Sequence, residues 1–285
     1  MKDSIIKTYV LNLLNLSRKC QNKIRVYIGY LRLKKQYHNR RMVETLSFTH
    51  SDKVLIMVPH ADDELINCHK LINDNKDSIL LLFFSLTGTK KDVINKKKRE
   101  KEFETYCKTS GVKSYIVNSE TDNYTQFCNL IEAYKPNKIV LPSFIDWHKE
   151  HMLLSSYMYD YLVKFHPSIL EYIIIYSVSF PMHSDFVNAI CPMSKQEQEL
   201  KWNLFDTIYK TQSGFPVYRF KYWERLYAKE LCNNYSTEYF HVFNKTDWIY
   251  WYESMYDGSV CVPQDIINNL IAVRSLSYKL YIDNH

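Results

Sequence analysis

A histidine and three carboxylates follow a short apolar run within five residues, and this segment constrains the chain most. The run Lys53–Val58 ends at Pro59, and the charged segment His60–Glu64 comes next. A short apolar run bounded by proline and charge indicates a buried strand that opens into a loop. Loops at strand ends carry much of the chemistry of α/β proteins. Imidazole and carboxylate suit Zn²⁺, and a neighbouring carboxylate can act as a general base. We therefore treat His60–Glu64 as half of a candidate metal site.

A second polar segment, Asp146–His151, has the same setting. It follows another apolar run, Lys138–Pro142, and contains two histidines with carboxylates on both sides. Such a segment can supply one metal ligand, one polar catalytic group and the acids that orient them. Taken singly, each segment also has an ordinary explanation. An Asp-Asp-Glu sequence after a strand commonly caps a helix, and a His-x-x-His pair commonly lies on a surface.

The apolar pattern between these segments alternates between strand and helix. We predict strands at 54–58, 79–85, 114–117, 138–141 and 172–177. We predict helices at 62–73, 90–110, 125–134 and 151–165, and from Ser194 the chain is predicted to be mostly helical, with helices at 196–209 and 222–231. This alternation predicts an α/β, Rossmann-like parallel sheet flanked by helices. Because ligands bind beyond the carboxyl ends of parallel strands, the loops after Val58 and Leu141 are expected to meet.

The two polar segments resemble motifs of a known family. Pro59–Glu64, together with His148 and His151, resembles the PIG-L/LmbE-like deacetylases, zinc enzymes that remove acetyl groups from N-acetylglucosamine-type sugars. The resemblance covers about residues 52 to 243. Weaker matches along the chain are Thr87-Gly88, Arg99 with Glu102, Gly111-Val112, Lys201, Tyr209–Gln212 and Glu238–Phe240.

The resemblance implies a metal centre and a mechanism. The implied zinc ligands are His60, Asp63 and His151, which leaves one position open for water, as a catalytic zinc site requires. By the same resemblance, Asp62 acts as the general base. His148 stabilises the tetrahedral oxyanion.

Supporting roles are implied for the residues around these groups. Asp146 and Glu150 are candidates to orient the histidines, Arg99 is a candidate substrate contact, and Glu64 caps the next helix or supports the site. The family often has His-Pro-Asp-His at the second segment, whereas this chain has a glutamate, one methylene longer, at position 150. The later segments are also unusually rich in tyrosine and tryptophan, which bears on the substrate rather than on the chemistry.

The expected function is therefore zinc-dependent removal of an acetyl group from an N-acetylated amino sugar or sugar conjugate. Two other classes stay open. One is a hydrolase of a different amide or ester that uses the same metal site. The other is a non-catalytic, zinc-stabilised carbohydrate-binding protein, against which the presence of both Asp62 and His148 counts.

The positive charge of the chain is concentrated at its N-terminus. Residues 1–50 carry eleven Lys or Arg against Asp3 and Glu44, a net charge of +9, whereas the whole chain carries +6, so residues 51–285 carry −3. Apolar residues within 1–50 recur at helical spacing, which predicts a basic amphipathic extension before a deacetylase domain at 51–285. Residues 1–45 could contact a membrane surface peripherally, or they could cover the domain. Nucleic-acid binding is not expected, because no recognition motif accompanies the charge.

The cysteines and the hydropathy pattern suggest a cytoplasmic protein. The seven cysteines are scattered and form no Cys-x-x-Cys pair, which is typical of free thiols in a reducing compartment. Cys68 lies close to the acidic segment, where we expect an apolar helix residue rather than a ligand. No apolar run reaches the ~18 residues of a membrane span, and no signal peptide is evident.

Overall fold

The computed structural model describes residue 24 and residues 43–86, 93–117, 122–146, 148–179, 181–182 and 184–256. These residues form an eight-stranded sheet with seven flanking helices, in the order β1-β7-β8-β6-β5-β2-β3-β4. The strands are β1 Glu44–Thr45, β2 Val54–Val58, β3 Ile79–Phe83, β4 Lys113–Ile116, β5 Lys138–Pro142, β6 Tyr172–Tyr176, β7 Ala189–Met193 and β8 Ser236–Asn244. The predicted α/β class is confirmed.

The helices cover the faces of this sheet. They are α1 Asp63–Asn75, α2 Val93–Ser110, α3 Asn123–Tyr134, α4 Lys149–Phe165, α5 Lys195–Ile208, α6 Val217–Leu231 and α7 Lys245–Tyr256. Short 3₁₀ turns occur at Ser184–Phe186 and Lys210–Gln212. No helix among the described residues is long and apolar enough to cross a membrane.

Strands β2, β3, β4, β5 and β6 are parallel and close to their predicted positions. The C-terminal part differs from the prediction because it adds two strands, and β8 runs antiparallel to both β6 and β7. The sheet is therefore mixed. The predicted N-terminal extension lies almost entirely outside the described residues.

The order of the strands places the two polar segments side by side. Strand β2 lies between β3 and β5, so the chain proceeds in one direction from β2 to β4 and in the other from β5 to β6. The point between β2 and β5 is a topological switch point, where a crevice opens at the carboxyl ends of the strands. Both strands are completely or almost completely buried, and each is followed within a few residues by one of the polar segments. The expected meeting of these two segments therefore occurs.

A buried ionic network holds helix α1, which begins at the switch point. The ammonium of Lys201 on α5 donates to the carbonyl oxygen of Ile66 at 2.7 Å and to the carboxylate of Glu238 on β8 at 2.8 Å. The same carboxylate accepts the backbone N–H groups of Lys70 and Leu71. In a regular α-helix the N–H of Lys70 donates to the carbonyl of Ile66. Lys201 therefore binds the carbonyl, and Glu238 the N–H, of a pair of backbone groups that bond to each other in a regular helix.

A second carboxylate completes the network. Glu224 on α6 lies 2.7 Å from the ammonium of Lys201 and accepts from the indole N–H of Trp202 and the amide of Gln198. Burial would lower the pKa of Lys201, but Glu224 and Glu238 raise it overall, so the side chain remains charged. A single buried cation thus connects α1 to α5, α6 and β8.

Replacing Lys201 by methionine should destabilise the fold severely, because two buried carboxylates would lose their counter-ion. We expect Lys201→Met to lower the free energy of unfolding by about 3–5 kcal/mol, the usual effect of breaking a buried ion pair. Chemical denaturation followed by circular dichroism measures this. Lys229→Met on the exposed side of α6 is the matched control. A loss below ~1 kcal/mol, the range of exposed pairs, would contradict the role of the network.

Candidate metal centre and active site

Three electron-rich atoms converge at the carboxyl ends of β2 and β5. His60 lies in the loop after β2, Asp63 is the first residue of α1, and His151 lies in the first turn of α4. The Nδ1 atom of His60 is 3.1 Å from Nε2 of His151, and Oδ2 of Asp63 is 3.2 Å and 3.3 Å from these two nitrogens. The three residues form a group whose ligand atoms could hold one metal ion.

The donor set fits a cation. Nδ1 of His151 is 2.9 Å from Oδ2 of Asp146, which holds an N–H on Nδ1 and turns Nε2 toward His60 and Asp63. A carboxylate oxygen and imidazole lone pairs directed at a common point repel one another unless a proton or a metal ion lies between them. Two nitrogens and one oxygen form a ligand set typical of zinc.

The ionisation of these groups leads to the same conclusion. Burial would lower the pKa of His151, but Asp63 and Asp146 raise it to about 10. Burial alone would raise the pKa of Asp63, yet His151 and His60 lower it overall. Without a metal, a proton on His151 therefore supplies the positive charge that the site requires. A divalent ion can replace that proton.

Asp62 lies beside this group in a strained backbone conformation. Its φ of 131° lies in a region that side chains other than glycine rarely adopt. Its Oδ1 atom accepts from the Nη2 atom of Arg99 at 3.1 Å, and the same nitrogen donates to the carbonyl of Ala61 at 2.9 Å. Burial, together with the neighbouring Asp63, raises the pKa of Asp62 well above its usual range. Asp62 makes no side-chain capping bond to α1, so helix capping does not explain this aspartate.

Glu64 stabilises the loop that carries Asp62. Its carboxylate accepts the backbone N–H of Asp62 at 3.2 Å and the hydroxyl of Tyr209, and burial raises its pKa to about 7. Tyr209 follows the end of α5, the helix that also carries Lys201. Helix α5 and the residue that follows it therefore contact α1 at two places, the first turn of α1 and its middle.

His148 and Glu150 lie at the outer side of the centre. The His148 ring is 5.4 Å from the ring of His60 and 5.1 Å from that of His151, measured between centroids. Burial lowers the pKa of His148, which favours the neutral imidazole. Asp146 accepts the backbone N–H of His148 at 2.9 Å. The half-exposed carboxylate of Glu150 lies 3.9 Å from Nε2 of His60, beyond hydrogen-bond length, whereas Asp146 contacts the ring of His151 directly.

All the sequence-predicted site residues thus lie together, and three further contacts were not predicted. Gln212 faces Arg99: with its amide oxygen toward the guanidinium, it accepts from Nη1 at 3.3 Å and Nη2 at 2.5 Å. The other two are the hydroxyl of Tyr209 on Glu64 and the carboxylate of Glu224 on Lys201. Tyr209 and Gln212 belonged to a matched segment without an assigned role. Glu224 gave no signal, because a glutamate in a charged helix looks solvent-exposed.

Cys68 behaves as the sequence suggested. Its side chain is completely buried in α1, and burial raises the pKa of its thiol well above the usual value. It belongs to neither of the two groups of potential metal ligands among the described residues, which are His60, Asp63 and His151, and His60, His148 and Glu150.

Comparison with known proteins identifies the fold. No protein-family model and no curated protein sequence matches the chain. Among solved structures, the chain is similar to the conserved protein TT1542 from Thermus thermophilus, with a TM-score of 0.51 and 16% identity over 67% of this chain and 94% of that one. It is also similar to a triple mutant of the deacetylase Orf2 from the teicoplanin biosynthetic pathway, with a TM-score of 0.50 and 13% identity over 68% of this chain and 99% of that one.

We expect the purified protein to bind one divalent ion per chain, with zinc as the probe. His151→Ala should abolish binding, because it removes a ligand, and Asp146→Asn should weaken it ~10–100-fold through loss of the orienting carboxylate. Titration calorimetry with elemental analysis gives the stoichiometry and the affinity. His50→Ala, at an exposed position, is the control. Undiminished zinc binding by His151→Ala would refute the assignment.

Proposed function

We propose that this protein is a zinc-dependent N-deacetylase that acts on an N-acetylated amino sugar or sugar conjugate. The observation that carries the proposal is the convergence of His60, Asp63 and His151 beside a buried acid, Asp62. The resemblance of Pro59–Glu64 and His148–His151 to the PIG-L/LmbE-like deacetylases supports it. Similarity of fold to a teicoplanin-pathway deacetylase agrees with it.

The proposed ligands divide the work between two strand ends. His60 and Asp63 would hold the ion from the β2 side, and His151, oriented by Asp146, would hold it from the β5 side. When bound, zinc polarises the amide carbonyl and lowers the pKa of a coordinated water to ~7. Three protein ligands leave the open position that this chemistry requires.

Asp62 is the proposed general base. Its carboxylate follows His60 by two residues and precedes the ligand Asp63, so its position is fixed by the same short segment. Arg99 holds one carboxylate oxygen at 3.1 Å and thereby orients the other. A cation in the site would favour the ionised form of Asp62, which can take a proton from water and return it to the leaving amine.

His148 is the proposed oxyanion donor. Its ring borders those of both proposed ligand histidines. A neutral imidazole can donate one hydrogen bond to the substrate oxygen as negative charge develops there. Arg99, next to Asp62, is the proposed contact for the substrate's polar groups.

Exchanging single catalytic groups separates catalysis from metal binding. Asp62→Asn should retain zinc but lose ~10²–10⁴-fold in turnover, because an amide cannot accept the proton. His148→Ala should retain zinc and lose on the order of 10²–10³-fold, the usual effect of removing one oxyanion donor. Acetate release from free, nucleotide-linked and lipid-linked N-acetyl sugars is the assay.

The outcomes also distinguish the competing functions. Loss of zinc in Asp62→Asn would exchange the roles of Asp62 and Asp63. Turnover of other acyl amides or esters without acetate release would favour a different hydrolase. Sugar binding without turnover of any substrate would favour a non-catalytic carbohydrate-binding protein.

We also propose that residues 1–45 bring the enzyme to an anionic membrane surface from the cytoplasmic side. The support is the charge of +9 within residues 1–50 and the helical spacing of their apolar residues. Each Lys or Arg near such a surface contributes about 1 kcal/mol.

Deleting residues 1–45 tests this second proposal. The full-length chain should sediment with vesicles that contain phosphatidylserine at low salt, and the shortened chain should not, while it still folds and binds zinc. Neutral phosphatidylcholine vesicles are the control, since they lack the attracting charge. Full-length protein that ignores anionic vesicles would exclude membrane docking, and an unfolded shortened chain would indicate that the extension covers the domain instead.

A further inference from the structure

A basic groove lies beside the proposed active site. It has a volume of about 1020 Å³ and runs between α2 and the end of α5 with the 3₁₀ turn at Lys210–Gln212. Its charged lining consists of Lys96, Lys98, Arg99, Lys101, Lys210 and Glu102. Five cationic groups against one carboxylate give this lining a net charge of +4.

Four of the six cationic side chains of α2 line the groove, whereas two of its three acidic side chains do not. Glu100 and Glu104 of the same helix do not line the groove, and Glu100 instead accepts the hydroxyl of Ser85 at 2.7 Å. A helix whose charges serve only to solvate it usually mixes both signs on one face. Here Lys96, Lys98, Arg99 and Lys101 lie together on the wall of a concavity, where their potentials add, whereas Lys97 and Lys108 lie outside it.

Glu102, the single acid among the described residues that line the groove, is already hydrogen-bonded. The carboxylate of Glu102 accepts the backbone N–H of Thr211 at 2.8 Å and its hydroxyl at 2.5 Å. These two bonds fasten α2 to the opposite wall. Glu102 therefore ties the two walls of the groove together and leaves the groove lysines without an acidic partner among the described residues that line it.

The groove is connected to the catalytic centre through Arg99. This residue lines the groove, and its Nη2 atom also contacts the carboxylate of Asp62. Its Nε atom is buried and has no hydrogen-bond partner among the described residues. A ligand in the groove therefore lies one side chain away from the proposed general base.

We propose that this groove binds a phosphate or diphosphate group attached to the sugar, so that the substrate is a phosphate-linked N-acetyl amino sugar. The inference rests on the proposed deacetylase function. A diphosphate neutralises much of a +4 lining, whereas a single carboxylate would leave most of it uncompensated. Lysine is a common point-charge partner of phosphate. The diphosphate can belong to a nucleotide or to a lipid carrier, and both present the same group to the groove.

The first test compares substrates. We expect KM for uridine diphosphate N-acetylglucosamine, the soluble source, or for polyprenyl diphosphate N-acetylglucosamine in detergent, the lipid source, to be on the order of tenfold below that for free N-acetylglucosamine. Added salt should reduce the advantage, because it screens exposed charges. Equal KM values for the free and both diphosphate-linked sugars would overturn the proposal.

Charge reversal on α2 locates the effect. The double variant Lys98→Glu/Lys101→Glu should remove the KM ratio between diphosphate-linked and free sugar. Lys113→Glu/Lys229→Glu makes the same change in charge at exposed positions outside the groove and should retain the ratio. If both variants change the ratio equally, general attraction explains it and the groove does not bind the diphosphate.

Direct binding separates the groove from the proposed reaction. We expect calorimetric titration of the full-length protein with inorganic pyrophosphate to show binding that the Lys98→Glu/Lys101→Glu variant weakens on the order of tenfold. Binding of this kind without acetate release from any sugar would refute the deacetylase proposal and support the groove. Pyrophosphate affinity that is unaffected by the groove variant would overturn the groove, whatever the enzyme does to sugars.

Discussion

The repulsion among three electron-rich atoms at the ends of β2 and β5 is the constraint on which the rest of the site depends. Nδ1 of His60, Oδ2 of Asp63 and Nε2 of His151 lie within 3.3 Å of one another. Such an arrangement requires positive charge at its centre, and the neighbouring Asp63 and Asp146, which raise the pKa of His151 to about 10, favour a proton there in the absence of metal. The fold must therefore hold all three donors rigidly enough to prevent their separation.

Helix α5 provides much of that rigidity on the α1 side. Tyr209 holds the first turn of α1 through Glu64, and Lys201 holds its middle through Ile66 and Glu238. The proposed ligand Asp63 begins this helix, so a displacement of α1 would move that ligand. The C-terminal half of the chain thus acts on the metal centre although it supplies only one of the three proposed ligands, His151. Arg99 extends the same arrangement outward, because it orients Asp62 on one side and lines the basic groove on the other.

Much of the fold could be predicted from the sequence, and the strands that were not predicted were missed for physical reasons. The buried strands β2 and β5 could be predicted because both of their faces are apolar and a polar segment follows each strand. Strand β8 could not be predicted, because it buries the polar residues Thr237, Glu238 and His241 and so shows no apolar periodicity. Strand β7 contains Pro192, which usually argues against a strand interior. Here it is tolerated because β1 pairs only as far as Ile190, so Pro192 faces β8 alone.

The contacts of the site likewise fall into some that could be predicted from the sequence and some that could not. Residues next to one another in sequence, such as His60 and Asp63, could be placed from spacing and from the family resemblance. Partners that are distant in sequence could not, because the burial of Glu224 and the approach of Gln212 to Arg99 depend on how α5, α6 and the 3₁₀ turn pack.

The central claim is that one ion binds at the meeting of β2 and β5, and anomalous scattering from zinc-loaded crystals tests it most directly. The account predicts a single peak about 2.0–2.2 Å from Nδ1 of His60, an oxygen of Asp63 and Nε2 of His151, the usual zinc–ligand distances. A peak bound instead by His148 and Glu150, or by a cysteine sulfur, would contradict it.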